Sequence, residues 1–196
     1  MSLVELITLR NRRIPANHSL SNLRLGNFIL SKRNKNLSFQ PILTNYDLER
    51  DSEDIALEIC ANSSKIIGLP GYIWTIDKSF EISRNLYELD PNIQVVIGGP
   101  EALYPSNIKR YDWNGNEYFI SGEGEEPFLW LLSNLQNGRI DLDSPESPRS
   151  IYTSNKFRNV SPNLSNLSDL PPLFGEDFTD LFPNNDMYTK PKLWHT

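Results

Sequence analysis

The chain has 196 residues, 38% hydrophobic and 22% charged, which is enough apolar content for one domain with a core and some residues left over. Its formal charge of -6 argues against a sequence-independent nucleic-acid binder, which needs a basic face. No apolar run approaches the ~20 residues of a membrane span, and Met1-Ser2-Leu3-Val4-Glu5 lacks the basic and apolar regions of a signal peptide, so a cytoplasmic protein with no membrane partner is expected.

Val4 to Leu9 reads as a first strand, followed by a polar loop through Pro15. His18 to Arg33 carries Leu20, Leu23, Phe28 and Leu30 at mostly helical spacing. Ile42-Leu43 with its neighbours predicts a second strand, although Pro41 stands before it. Asp51 or Ser52 can cap a helix whose apolar face is Ile55, Ile59 and Cys60. Lys65 to Leu69 is a third strand. Asp77 is expected to cap the next helix, lined by Ile82, Leu86 and Leu89 and ended by Asp90-Pro91. Ile93 to Ile97 and Tyr118 to Ile120 are the fourth and fifth strands, separated by an ill-defined stretch holding Tyr104, Pro105 and Tyr111. A last helix carries Phe128, Leu131, Leu132 and Leu135 and stops at Asn137-Gly138.

Strand–helix alternation of this kind predicts an α/β, doubly wound parallel five-stranded sheet with helices on both faces. Its ligand would sit beyond the carboxyl ends of the strands. The loops at 10–18, 69–77, 98–103 and 121–126 should therefore share one rim, with glycine-rich turns at Gly98-Gly99-Pro100-Glu101 and Gly122-Glu123-Gly124-Glu125. After Asp141 the character changes: Ile151-Tyr152-Thr153 and Phe157 to Val160 suggest a small hairpin, and 161–196 a linker or arm.

Several ligands are disfavoured at that rim. No Gly-Lys-Ser/Thr closes a glycine-rich turn, as a P-loop requires. A dinucleotide fingerprint should follow the first strand, where Arg10-Asn11-Arg12-Arg13 stands instead, and Glu123, Glu125 and Glu126 would repel a pyrophosphate. A phosphoacceptor site needs an aspartate ending strand three, which here runs Gly68-Leu69-Pro70-Gly71. His18 and His195 are the only histidines, and no Ser-His-Asp reading is supported. Tyr72 and Trp74 suit a bulky, partly apolar ligand, or else strand-end packing.

The segments "RRIPANHSLSNLRL", "IIGLPGYIWTID", "VVIGGPEAL" and "YFISGEGEEPFLWLL", in this order at successive strand ends, resemble the cobalamin-binding domain of B12-dependent radical SAM proteins. The likeness covers roughly residues 3–140, and "NLSNLSDLPPLF" is similar to the linker toward the radical SAM barrel. The resemblance implies a flavodoxin-like domain over 1–140, with a hairpin and linker over 141–196, and cobalamin (B12) across the carboxyl rim. It implies cofactor contacts from Gly98, Gly99, Pro100, Glu101, Gly122, Glu123, Gly124 and Glu125, and from Tyr72, Ile73, Trp74 and Thr75. Asn17, His18 and Ser19 of the first loop complete the expected set.

B12-dependent mutases supply a cobalt-ligating histidine from Asp-x-His-x-x-Gly, whereas this window reads Ala16-Asn17-His18-Ser19-Leu20-Ser21. A ligating histidine usually has a carboxylate to orient it. His18 is therefore read as a corrin-periphery contact or a helix-start residue before a cobalt ligand, and no metal ligand is assigned. Glu123 and Glu125 can either favour the helix dipole or touch the ligand. The family's Cys-x-x-x-Cys-x-x-Cys is absent, and the single Cys60 excludes a disulfide within the chain and an iron–sulfur cluster held by three or four of its cysteines. The expectation is a cobalamin module that is not catalytic alone and serves a methyltransferase-type radical SAM domain or protein supplied by another chain or lost. The rivals are a relic or protein-interaction module that binds no cofactor, and a flavin module; the latter would want a Ser/Thr-rich phosphate loop after strand one, which Arg10 to Asn17 does not provide.

Overall fold

The computed structural model describes residues 2–11, 19–33, 38–138, 140–154 and 156. Six strands form one sheet: β1 (Ser2–Arg10), β2 (Phe39–Asp47), β3 (Ile66–Pro70), β4 (Gln94–Gly98), β5 (Glu117–Ile120) and β6 (Ile151–Tyr152). Their order is β2-β1-β3-β4-β5-β6. The first five are parallel, and β6 joins β5 antiparallel through Phe119↔Tyr152 and Ile120↔Ile151. The parallel order 2-1-3-4-5 is that of the flavodoxin-like doubly wound folds. The helices are α1 (Leu20–Arg33), α2 (Ser52–Ala61), α3 (Ile76–Leu89), a one-turn α4 (Pro105–Ile108) and α5 (Glu125–Gln136). A 3-10 turn over Pro100–Leu103 precedes α4 and fills part of the stretch that the sequence left undefined.

Side chains alternate across the pleat, and so the core divides into two layers. Ile7 and Leu9 of β1, Val95 and Ile97 of β4 and Phe119 of β5 pack with Ile55 and Ile59 of α2 and Ile82 and Leu86 of α3. Val4 and Leu6, Val96 and Ile120 face the other way, onto Leu23 and Ile29 of α1 and Leu131 and Leu132 of α5. Short apolar strands buried on both faces are what covered parallel sheets require.

Several boundaries depart from the sequence reading. β2 runs through Pro41 because it is an edge strand, where a missing N–H need not break a ladder. Asp51 caps α2 by accepting from the Glu53 amide at 2.8 Å. Asp77 does not cap α3: Thr75 holds that position, and Asp77 sits in the first turn, where it accepts from the Tyr111 hydroxyl. Leu89, expected on the apolar side of α3, is exposed in the final turn, and Phe80, Ser79 and Ser83 are buried in its place. Cys60 is only half-buried, and Ala56 completes the covered face of α2. Ile151-Tyr152 extends the main sheet, and among the described residues a Thr153↔Lys156 bridge follows it. Phe157 to Val160 and the arm at 161–196 lie outside the described residues.

Glu5 is a buried acidic residue of the first layer. Glu5, in the middle of β1, is fully buried and accepts from Ser64 Oγ at 2.9 Å and Asn62 Nδ2 at 3.3 Å. Desolvation raises its pKa above the ordinary value of 4.5, against the opposing effect of these hydrogen bonds. The folded state therefore binds the proton more tightly than the unfolded chain. Glu5's contribution to stability is full below the ordinary value and is lost as pH rises through the raised one. Glu5→Gln removes that dependence. Its stability relative to the parent, from urea midpoints across pH, should improve steadily from acid toward neutral pH; a constant difference would exclude the linkage.

Candidate functional site

Parallel strands end on a common edge, so the strand exits at Arg10, Pro70, Gly98 and Ile120 lie along one rim. In the order 2-1-3-4-5 the direction of winding reverses between β1 and β3, and such a switch point is where doubly wound sheets form a binding crevice. One wall is the start of α1. Thr8 Oγ1 accepts from the Ser19 amide at 3.3 Å and from Asn22 Nδ2 at 3.1 Å, which ties that wall to β1. Ser19 Oγ lies 2.5 Å from Ser21 Oγ, and Ser21 Oγ lies 3.5 Å from the Tyr72 hydroxyl on the opposite wall. Asn17 and His18 lie outside the described residues.

The second wall is the turn from β3 into α3. The amides of Thr75 and Ile76 both donate to Tyr72 O, at 2.9 and 2.8 Å, folding residues 72–75 into a tight knuckle. Tyr72 and Trp74 stack on it with ring centroids 5.1 Å apart and planes 12° apart. Ile73 and Trp74 are 69% and 66% exposed. Of the two readings of this trio, strand-end packing does not hold for Ile73 and Trp74: both project from the fold. Thr75 is buried, and its hydroxyl reaches Pro70 O at 2.9 Å while accepting from the Tyr72 amide at 3.2 Å.

Next along the rim, the exits of β3 and β4 are locked backbone to backbone. The Gly71 amide donates to Gly98 O at 2.6 Å, and the Glu101 amide donates to Gly71 O at 2.9 Å. Gly99 sits at φ 130°, ψ -177°, a conformation that is essentially glycine-only. Gly98 has no such need. A Cβ added there meets nothing within 4 Å, and its φ is not positive. Pro100 opens the 3-10 turn, and Glu101 is held by Asn107 Nδ2 at 3.2 Å. From beneath, the buried Tyr152 hydroxyl donates to Ala102 O at 2.8 Å, so β6 steadies this part of the rim.

The same contrast recurs after β5. Gly122 has φ 80°, which favours glycine, whereas Gly124 caps α5 at φ -90° with open space where its Cβ would be. Glu125 is buried and lies 4.0 Å from Arg24 Nε on α1, so it bridges two helices. Glu123 is half-buried beside the Gly122 turn. The expected residues of β3 and β4 thus meet directly, those of β5 follow one strand over, and Ser19 faces them across the crevice. Thr8, Ser21 and Ser79 join the site's framework without having been expected; only tertiary pairing reveals them. Among the described residues, no group of three or more His, Cys, Asp or Glu side chains could hold a metal ion.

A groove of about 670 Å³ occurs at the opposite edge, where Phe39, Ile66 and Gln94 begin their strands. It lies away from the rim. Asp90, beside this edge, has its carboxyl held down to about 2, chiefly by the Lys65 ammonium 2.8 Å away.

No protein-family model and no curated protein matches the chain. Among solved structures it is similar to a CheY-like protein, TadZ, of Pseudomonas aeruginosa, with 14% identity and a TM-score of 0.46 over 72% of this chain and 97% of that one. It is also similar to a lipoprotein fragment of Peptoclostridium difficile, with 16% identity and a TM-score of 0.37 over 70% of this chain and 98% of that one. The strand order itself defines the fold. No helix among the described residues is long and apolar enough to cross a membrane.

Proposed function

We propose that this chain is a cytoplasmic cobalamin-binding module that lays the corrin across the carboxyl rim of its sheet. The observation that carries the reading is the exposed Trp74, stacked on the half-buried Tyr72, on a turn whose Gly71 is hydrogen-bonded to Gly98, a glycine that neither backbone geometry nor packing requires. Large apolar surface is rarely left uncovered without a partner. Two flat rings suit a macrocycle edge, and the vacant Cβ positions at Gly98 and Gly124 leave room for a ligand against the main chain.

The residues present fit such a group. Tyr72, Ile73 and Trp74 would cover its apolar periphery. Gly98, Gly99 and Pro100 would lie along it, and Ser19 with the Gly122–Gly124 turn would bound it at either end. Cobalamin, when bound, supplies a cobalt-borne methyl group to a partner. The chain's own work is to hold, orient and shield. A radical SAM domain or protein in another chain is the partner that the sequence resemblance suggests, with methyl transfer as its reaction.

A second reading rests on the same exposure. Leu20 and Tyr104 are 67% and 57% exposed on rim segments, so the edge could instead receive a protein. Titration of the full chain with hydroxocobalamin, followed by gel filtration and visible absorbance, separates the two. Co-elution near one equivalent is expected. Corrin that runs entirely as free small molecule would reject the cobalamin reading and favour the protein-docking one.

A further inference from the structure

We infer that Ser79, inside α3, is a positioning residue that sets the attitude of the Tyr72–Trp74 stack toward its ligand; its role in binding rests on the cobalamin reading above. Ser79 is fully buried and has no place in the rim itself. Serine in a helix interior is less favourable than alanine, and a buried hydroxyl has to find a partner. Its partner here is Pro70 O, at 2.8 Å.

That carbonyl is the last of β3, at the point where the ladder ends and the binding turn begins. Thr75 Oγ1 also approaches it, at 2.9 Å, but Thr75 has a single proton and lies 3.3 Å from Tyr72 O as well. Ser79 has no competing acceptor among its recorded bonds, so it holds Pro70 O when the Thr75 proton turns to Tyr72. The N–H of the same peptide, on Gly71, donates to Gly98 O, and the carbonyl of the next peptide, Gly71 O, accepts from the Glu101 amide. The Pro70–Gly71 segment is thus gripped by α3 on one side and by the β4 exit on the other. Residues 72–74 rise from this planar unit, so its orientation carries over to the stack. Ser79 holds the carbonyl side of that plane, as Gly98 O holds its N–H side.

The test uses the full chain labelled with 5-fluorotryptophan, with the Trp74 signal assigned by Trp74→Phe. In Ser79→Ala the Trp74 fluorine resonance should move while those of Trp113 and Trp130 stay in place, and hydroxocobalamin affinity should fall about tenfold, the scale of one lost hydrogen bond. Ser79→Cys keeps the volume with a weaker donor, and it serves if the alanine variant does not fold. Thr75→Ser keeps its hydroxyl and should leave the resonance where it is. An unmoved Trp74 signal in the Ser79 variants overturns the inference whether or not cobalamin binds. A moved signal with unchanged affinity overturns the link to binding. A moved signal in a chain that takes up no hydroxocobalamin supports the positioning role and rejects only the cobalamin reading.

Discussion

Gly99→Ala is expected to destabilise the domain by ~3 kcal/mol or more, while Gly98→Ala, one residue earlier, should be neutral or stabilising by ~0.5 kcal/mol. The two glycines share a turn and differ in what surrounds them. At Gly99 a Cβ would stand 2.8 Å from Gly71 O and 3.0 Å from Gly71 C, main-chain atoms that cannot swing aside. Its φ of 130° adds strain of its own, because an L side chain clashes with its own backbone in that region. Relief would mean breaking the Gly71–Gly98 and Glu101–Gly71 hydrogen bonds that join the two rim turns. At Gly98 a Cβ meets nothing and only restricts the unfolded chain. Urea denaturation of both variants checks the contrast. Gly98→Val then reports on function: the fold should tolerate it, and hydroxocobalamin affinity should drop at least ~tenfold as the isopropyl group fills the open space over the rim. A Gly98→Val chain that binds cobalamin like the parent would remove Gly98 from the site.

The rim was legible in the sequence because it is written locally. β-branched runs that halt at glycine, such as Val95-Val96-Ile97 before Gly98-Gly99, mark strands and the edge on which they end. Alternation with helices then implies the parallel order. What decides the crevice is not local. Ser21 meets the Tyr72 hydroxyl across 51 positions, and no periodicity links them. Thr75 stands at the cap position in place of Asp77 without capping through its side chain, because its hydroxyl is engaged at Pro70, a tertiary contact that the sequence does not announce. The two-residue β6 carries almost no pattern, and only the exposed flank of β5 gives it a place. The exposure of Trp74 is likewise invisible in a sequence, where an aromatic at a strand end reads equally well as core.

A second large effect is expected far from the rim. Glu117→Leu should cost ~3 kcal/mol, although leucine suits a buried strand better than glutamate. The Glu117 side chain begins β5 almost fully buried, on the face toward α3. Its carboxylate accepts from Ser83 Oγ at 2.9 Å, from the Asn114 amide at 3.2 Å, from Asn114 Nδ2 at 3.1 Å and from the Gly115 amide at 3.0 Å. These donors lie on α3 and on the crossover that delivers the chain from α4 to β5. One carboxylate therefore closes the loop, orients the strand and anchors the helix, and it gathers donors too sparse to satisfy one another. Leucine would leave each without its acceptor, and the buried Ser83 hydroxyl could not turn to water. Glu117→Gln keeps one acceptor oxygen but turns an N–H₂ toward donors, so its loss should fall between those of the parent and Glu117→Leu. Urea midpoints order the three chains, and amide hydrogen exchange at Asn114 and Gly115 localises the damage. Faster exchange there, with the α1 amides still protected, is the expected signature. A Glu117→Leu chain as stable as the parent would mean that solvent, rather than this carboxylate, satisfies the crossover.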